Sequence, residues 1–240
     1  MIEGPAVISF SGGRTSAYML HCALDRGLQK DVHVLFADTG RERAETYEFV
    51  HAVEQEWQIP IHWVHRPGYF EQLITDRRCP PNPIARFCTQ ELKIRPMQQW
   101  MQAHGYEHWT NVVGIRADEP RRVAKMRAAM ESRRERWDIH LPLAEAGVMV
   151  ADVSDFWRAQ PFDLQLRPHE GNCDCCFLKS YGKLKNIVRD RPDLAQWWAD
   201  QEQRTGFVFR QDRPSYARML AQPDLFTDPN EDLIECYCTE

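Results

Sequence analysis

"SFSGGRTSAYML", Ser9–Leu20, sets two glycines and an arginine between serines directly after the apolar run "PAVISF". That run reads as a strand, and "TSAYMLHCALDRG", residues 15–27, reads as an amphipathic helix stopped by Gly27. The stretch between them is therefore a strand-to-helix turn. Gly12 and Gly13 let a ligand approach the backbone, Ser11 and Ser16 offer hydroxyls, and the helix start directs amides and a positive dipole end outward. The predicted occupant is a phosphate, with Arg14 and Thr15 inside the same turn. The turn lacks the Gly-Lys-Ser/Thr of a Walker loop and does not match the dinucleotide fingerprint.

Further along the chain the same alternation repeats. "DVHVLFAD" reads as a second strand, "AETYEFVHAVEQEW" as a second helix and "IPIHWVH" as a third strand. After a proline-rich loop, "RCPPNPIARFC", residues 90–104 read as a helix and "WTNVVGIR" as a fourth strand. Strands separated by helices imply right-handed crossovers and a parallel sheet flanked by helices, an α/β fold that binds ligands at the carboxyl edge of its strands. From Leu141 the alternation fades, and "LKNIVRDRPDLAQWWADQEQ" reads as helical with a proline interruption. The expected organisation is a nucleotide-binding α/β body over residues 1–140. A C-terminal helical extension over 141–240, carrying a cysteine-rich segment and a tail, packs with it as one unit.

The 240 residues, 43% hydrophobic and 27% charged, suffice for one sizeable core. No signal-peptide pattern opens the chain and no apolar run approaches the roughly 20 residues that span a bilayer, so a cytoplasmic protein away from membranes is expected. The net charge of −5 hides an asymmetry: residues 116–137 hold eight Lys/Arg against four Asp/Glu, leaving −9 on the remainder. That basic segment is either a solvated helix face or a positive rim for phosphates. Five of the eight cysteines fall late, at Cys173, Cys175, Cys176, Cys236 and Cys238. In a reducing compartment such clustering in a polar loop favours metal or redox use, whereas Cys22 on the first helix suits a small hydrophobe.

The turn at Ser11–Ser16 resembles the PP-loop of the adenine nucleotide α-hydrolase superfamily. "ADTGRERAETYEFV" resembles the DTG segment of the phosphoadenosine phosphosulfate (PAPS) reductase family within it. "RFCTQELKIRPM", "GIRADEPRR" and "NCDCCFLK" resemble, in family order, the cysteine segment of its iron-sulfur members, its Gly-x-Arg strand end and its GCxxC element. The likeness runs from about Ser9 to Lys179. It implies that Ser11, Gly12, Gly13, Arg14, Thr15, Ser16, Asp38, Thr39, Gly40, Gly114 and Arg116 surround the phosphates of an adenine nucleotide. Lys93 and Arg95 would hold sulfate or phosphate, and Cys88, Cys173 and Cys176 would ligate a [4Fe-4S] cluster. Candidates for the fourth ligand are Cys175, Cys79, Cys236 and Cys238; alternatively the fourth iron is open, and zinc is the rival metal.

The chain departs from the family pattern in three places. Thr15 stands where the PP-loop has Asp, so no carboxylate is available there for a metal. Thr89 replaces the second of two adjacent cysteines. The tail "ECYCTE" only partly resembles the terminus whose cysteine attacks sulfate, which would make Cys236 the nucleophile. The implied activity is that of an iron-sulfur oxidoreductase of sulfur metabolism acting on a sulfonucleotide, re-reduced by thioredoxin or glutaredoxin. Two other readings remain open. One is an ATP- and Mg²⁺-dependent sulfurtransferase that thiolates a nucleic acid guided by the basic segment; the other is a nucleotide-binding redox regulator without catalysis. Trp197 and Trp198 read as packing residues, and the histidines show no metal spacing.

Overall fold

A computed structural model of the chain describes residues 2, 4–132, 137–167 and 169–222. Five parallel strands form its sheet in the order β3-β2-β1-β4-β5: β1 (Ala6–Phe10), β2 (Val32–Asp38), β3 (Ile61–His65), β4 (Trp109–Val113) and β5 (Trp137–His140). Four of these are the expected strands. The fifth, "WDIH", is a four-residue edge strand whose pairing with β4 is its main support, and so short a run carries little periodicity.

The order reverses at β1, which has β2 on one side and β4 on the other. Chains leaving adjacent strands for opposite faces open a crevice at such a switch point. Both the turn after β1 and the strand end after β4 lie there. Helix α1 (Arg14–Leu24) follows β1, α2 (Ala44–Glu56) follows β2 and α3 (Tyr69–Arg77) follows β3. The predicted helix over 90–104 begins as a short turn, α4 (Phe87–Thr89). It passes through a π-helical stretch at Gln90–Ile94 and continues as α5 (Arg95–Ala103), with Pro96 in its first turn. The wider π turn carries Lys93 to the pocket that α4 lines with Cys88, the kind of place where such irregularities gather. Helix α6 (Pro120–Glu131) occupies the described part of the basic segment.

The main core joins sheet and extension. Ile8, Phe10, Leu20, Phe36 and Val50 share one cluster with Leu143, Val153, Trp157 and Leu164, supplied by α7 (Pro142–Glu145), α8 (Val150–Arg158) and the loop after it. A second core gathers under α9 (Tyr181–Asp190), α10 (Pro192–Thr205) and α11 (Tyr216–Ala221). The proline interruption read from the sequence is the junction of α9 and α10 at Arg191. Trp198 lies in the middle of this second core, 1% exposed. Phe70, Leu73, Ile74 and Leu92 from the body complete it. Among the described residues no helix is long and apolar enough to cross a membrane.

Candidate functional site

The turn after β1 is folded around a hydroxyl. Ser16 Oγ accepts hydrogen bonds from the amides of Ser11 (3.2 Å) and Gly13 (3.3 Å), donates to the Gly13 carbonyl (2.9 Å), and lies 3.0 Å from Ser11 Oγ. Ser16 is 2% exposed, so its hydroxyl is an internal post that shapes the turn. Gly12 has φ +75°, and a Cβ there would stand 2.7 Å from Thr46 Cγ2. Gly13 has ordinary extended backbone at φ −105° and ψ 162°; a Cβ there would meet the Asn172 amide at 3.2 Å. The two glycines are thus constrained differently, Gly12 by its left-handed backbone and close packing, Gly13 only by the end of the Asn172 side chain.

Arg14 turns outward onto the extension, where Nε donates to Asp163 Oδ1 at 2.7 Å and Nη2 to the Leu164 carbonyl at 3.2 Å. Its own carbonyl accepts from Trp157 Nε1 at 2.9 Å. Thr15 faces inward, and its Oγ1 accepts from Arg116 Nη1 at 3.0 Å. Arg116 is 6% exposed and its Nε donates to Asp118 Oδ1 at 2.9 Å. Gly114 makes this approach possible, because a Cβ there would lie 3.1 Å from Ser16 Cα. Residues Gly114 to Arg116 therefore lie against the first turn of α1, with the buried guanidinium on Thr15.

The segment after β2 forms the second wall. Asp38 Oδ1 accepts from the Gly40 amide at 2.8 Å and from the Tyr47 hydroxyl at 2.7 Å, so it caps the turn. Burial, reinforced by that bond and the charge of Asp38, pushes the Tyr47 phenol far above its ordinary value and keeps it a donor. Gly40 has φ +74° and packs against the Tyr69 ring. Thr39 Oγ1 donates to Glu42 Oε1 at 2.9 Å.

The cysteine loop is fastened to both walls. Glu42 and Cys173 form an isolated antiparallel bridge, the Arg43 amide donates to the Asn172 carbonyl at 2.7 Å, and the Asp174 amide donates to the Arg41 carbonyl at 3.0 Å. Asn172 Nδ2 donates to the Ser11 carbonyl at 2.6 Å. Asp174, 3% exposed, accepts from Trp198 Nε1 at 2.7 Å and pairs with Arg41, whose guanidinium lies 4.4 Å over the Trp197 ring. Burial raises the Asp174 carboxyl, against the pull of Arg41. These contacts bring the turn after β1, the loop after β2 and the "NCDCC" loop into one assembly.

Beside that assembly is a pocket lined by Thr39, Arg41, Cys88, Lys93, Cys173 and Cys176, with Phe70, Leu92, Phe177 and Trp198 behind them. Cys173 Sγ lies 3.6 Å from Glu42 Oε1, and Lys93 Nζ lies 3.6 Å from the same oxygen. Thr89 lines the pocket as well. Cys175 points into the second core, fully buried, and burial pushes its thiol up to about 12. Cys79, just past α3, is half-buried and is absent from the pocket wall. Arg95 lies on α5, paired with Glu91 at 2.7 Å. Cys236 and Cys238 lie outside the described residues. The donor types suit a thiolate-bound metal: three thiols from two separate segments face one space, with cations in its wall. Their present spacing is wider than a bound metal needs, since among the described residues no three His, Cys, Asp or Glu side chains stand close enough together to hold an ion.

Sequence reading did not single out Asn172, Glu42, Arg41 or Trp198 as parts of this assembly. Arg41 and Glu42 lie within "ADTGRERAETYEFV" and Asn172 within "NCDCCFLK", but their roles depend on contacts across the fold, 161 residues apart for Asn172 and Ser11.

An open parallel sheet with a glycine turn and a cysteine loop at its switch point defines an α/β protein with its candidate ligand site at the carboxyl edge of the strands. The chain belongs to the phosphoadenosine phosphosulfate reductase domain family, whose profile matches residues 5–159. It is 35% identical over 215 residues to an uncharacterised protein of the nin region of Escherichia phage lambda, covering 78% of this chain and 71% of that one. An uncharacterised protein of Methanocaldococcus jannaschii is 25% identical over 200 residues, covering 82% of this chain and 41% of the relative. Among solved structures, the U34-tRNA thiolase NcsA of Methanococcus maripaludis, with its [4Fe-4S] cluster, superposes with a TM-score of 0.50 at 12% identity, over 97% of this chain and 79% of that one. A PAPS reductase from Candida auris gives 0.45 at 17% identity, over 67% and 76%.

Proposed function

We propose that this protein is an iron-sulfur enzyme that binds a sulfonucleotide such as PAPS and reduces its sulfonate. The observation that carries the reading is the fastening of the cysteine loop to the glycine turn through Asn172, which joins a thiol-lined pocket to a helix start of the kind that can bind an anion. The nucleotide phosphates would lie on the turn at Ser11–Gly13 and the first amides of α1. Thr15 and Arg116 fix the shape of the opposite wall. Cys88, Cys173 and Cys176 would hold the cluster, which would supply iron and labile sulfide to this pocket. Lys93 and Arg41, in the same wall, would attract the anionic end of the substrate.

In the reaction proposed, a cysteine thiolate attacks the sulfonate sulfur, the bond from that sulfur to the phosphate oxygen breaks, and adenosine 3′,5′-bisphosphate leaves with the electron pair. The resulting thiosulfonate is reduced by a dithiol protein of the thioredoxin or glutaredoxin kind, which becomes a disulfide and releases sulfite. Cys236 is the proposed nucleophile on its likeness to the family's terminal cysteine. The test is turnover: PAPS and a dithiol reductant incubated with anaerobically prepared protein yield sulfite and adenosine 3′,5′-bisphosphate in equal amounts. No sulfite, with PAPS recovered intact, would defeat the reading.

One observation favours ATP-dependent thiolation of a nucleic acid as the second reading. Residues 77–95, which supply Cys88 and Lys93 to the pocket, hold five Lys/Arg and one acid, Glu91. Arg77 and Arg95 share that single carboxylate while half exposed, leaving cationic surface beside the thiols. Binding of ATP in preference to PAPS, with AMP release dependent on RNA, would select this reading over the first.

A further inference from the structure

Asn172 is 1% exposed and touches two segments that are distant from it in sequence. Its Nδ2 donates to the Ser11 carbonyl at 2.6 Å, its own carbonyl accepts from the Arg43 amide at 2.7 Å, and the next residue is Cys173. Its amide covers the space in front of Gly13, where a Cβ would stand 3.2 Å from Nδ2 and 3.5 Å from Oδ1. Among the described residues, Oδ1 is buried and accepts no hydrogen bond. The Ser11 carbonyl is thus the one hydrogen-bonded anchor of a buried amide, and a buried amide that loses its partner bears the full desolvation cost. When the turn moves, the amide has reason to move with it.

We propose that Asn172 is a positioning residue that couples occupancy of the turn after β1 to the placement of Cys173. The proposal rests on the reading of that turn as the nucleotide site. A phosphate on the turn fixes the Ser11 carbonyl; the carbonyl fixes the Asn172 side chain, and the Arg43 amide fixes its backbone, so the thiol one residue on takes a defined position in the pocket. The coupling is reciprocal: whatever holds Cys173 in place raises nucleotide affinity by the factor by which nucleotide restrains Cys173.

The experiment uses the full chain, reduced and metal-free, with ATP and PAPS as probes. Alkylation of Cys173 by iodoacetamide is followed by peptide mass spectrometry with and without each nucleotide, with Cys22 as internal control, while calorimetry measures binding. In the wild type, a nucleotide that binds changes the Cys173 rate by about fivefold or more, the lower end of usual coupling, and leaves Cys22 unchanged. In Asn172→Asp, nearly isosteric but unable to donate to the Ser11 carbonyl, nucleotide still binds and the Cys173 effect falls below twofold. Asn172→Ala gives the same result by removing the amide altogether. Nucleotide binding without any change at Cys173 in the wild type overturns the coupling and leaves the site reading intact. A full effect retained in either folded variant overturns it equally. Absence of binding of either nucleotide to the wild type overturns the site reading and the coupling together.

Discussion

Replacing each of the two adjacent glycines in turn separates their roles. In Gly12→Ala the residue must stay near φ +75°, which costs a non-glycine residue about 1–3 kcal/mol. Its Cβ would also lie 2.7 Å from Cγ2 of the buried Thr46, and 3.1 Å from Phe36 Cε2 and 3.2 Å from Val50 Cγ2 in the main core. Forcing a methyl into a packed core costs about 1–3 kcal/mol more. The total is about 2–6 kcal/mol, which for a chain of this size lowers Tm by roughly 4–24 °C. In Gly13→Ala the backbone is ordinary, and the new methyl presses on the movable end of Asn172. The smaller entropy of the unfolded chain, worth about 0.4–1 kcal/mol, offsets that pressure, so stability changes by less than about 1 kcal/mol. Scanning calorimetry of the two variants beside the wild type provides the assay. An unaltered Tm in Gly12→Ala, or equal losses in both, would refute the argument from backbone conformation and packing.

Further expected outcomes follow from the same contacts. Trp198→Phe removes the donor to Asp174 Oδ1, leaving a buried carboxylate short of one bond, and lowers stability by about 1–3 kcal/mol, read as a lower urea midpoint with unchanged slope. Cys173→Ser and Cys176→Ser reduce the iron and acid-labile sulfide of anaerobically prepared protein, and Cys22→Ser does not; a colourless wild type holding stoichiometric zinc would contradict the iron assignment. His33 and His62, packed with Trp100 and neighbouring His104, are held below the ordinary histidine value by burial and by the adjacent imidazoles, against the opposing pull of Asp31 and Glu54 respectively. The unfolded chain therefore takes up protons first on acidification. This contribution to stability is full above about pH 6.5 and is lost as pH falls through and below it, so His33→Phe flattens the pH dependence of the urea midpoint in that range.

Much of the fold could be read from the chain because strands buried on both faces are written as continuous apolar runs and the intervening helices as amphipathic ones. The turn at Ser11–Gly13 was visible for the same reason: glycines and hydroxyls between a strand and a helix have few structural uses. The inward-facing role of Ser16 and the outward turn of Arg14 were not legible. They depend on which carbonyl or carboxylate stands across the gap, and for Arg14 that partner is Asp163, 149 residues away. The gathering of Cys88 with Cys173 and Cys176 was suggested by resemblance, whereas the separation of Cys175 from them follows from the burial of the loop on the second core. The histidine cluster was missed because His33 and His62 meet through strand register and carry no mutual spacing in the sequence.

Calorimetric titration shows whether the glycine turn holds the phosphates of an adenine nucleotide. PAPS and ATP are titrated separately into anaerobically prepared wild type and into Gly13→Val, whose added side chain occupies the space in front of Asn172. The expected result is one saturable site per wild-type chain, with affinity for the preferred nucleotide at least about tenfold weaker, some 1.4 kcal/mol, in a Gly13→Val protein of unchanged fold. Equal affinity in the two proteins, or no binding of either nucleotide by the wild type, would contradict it.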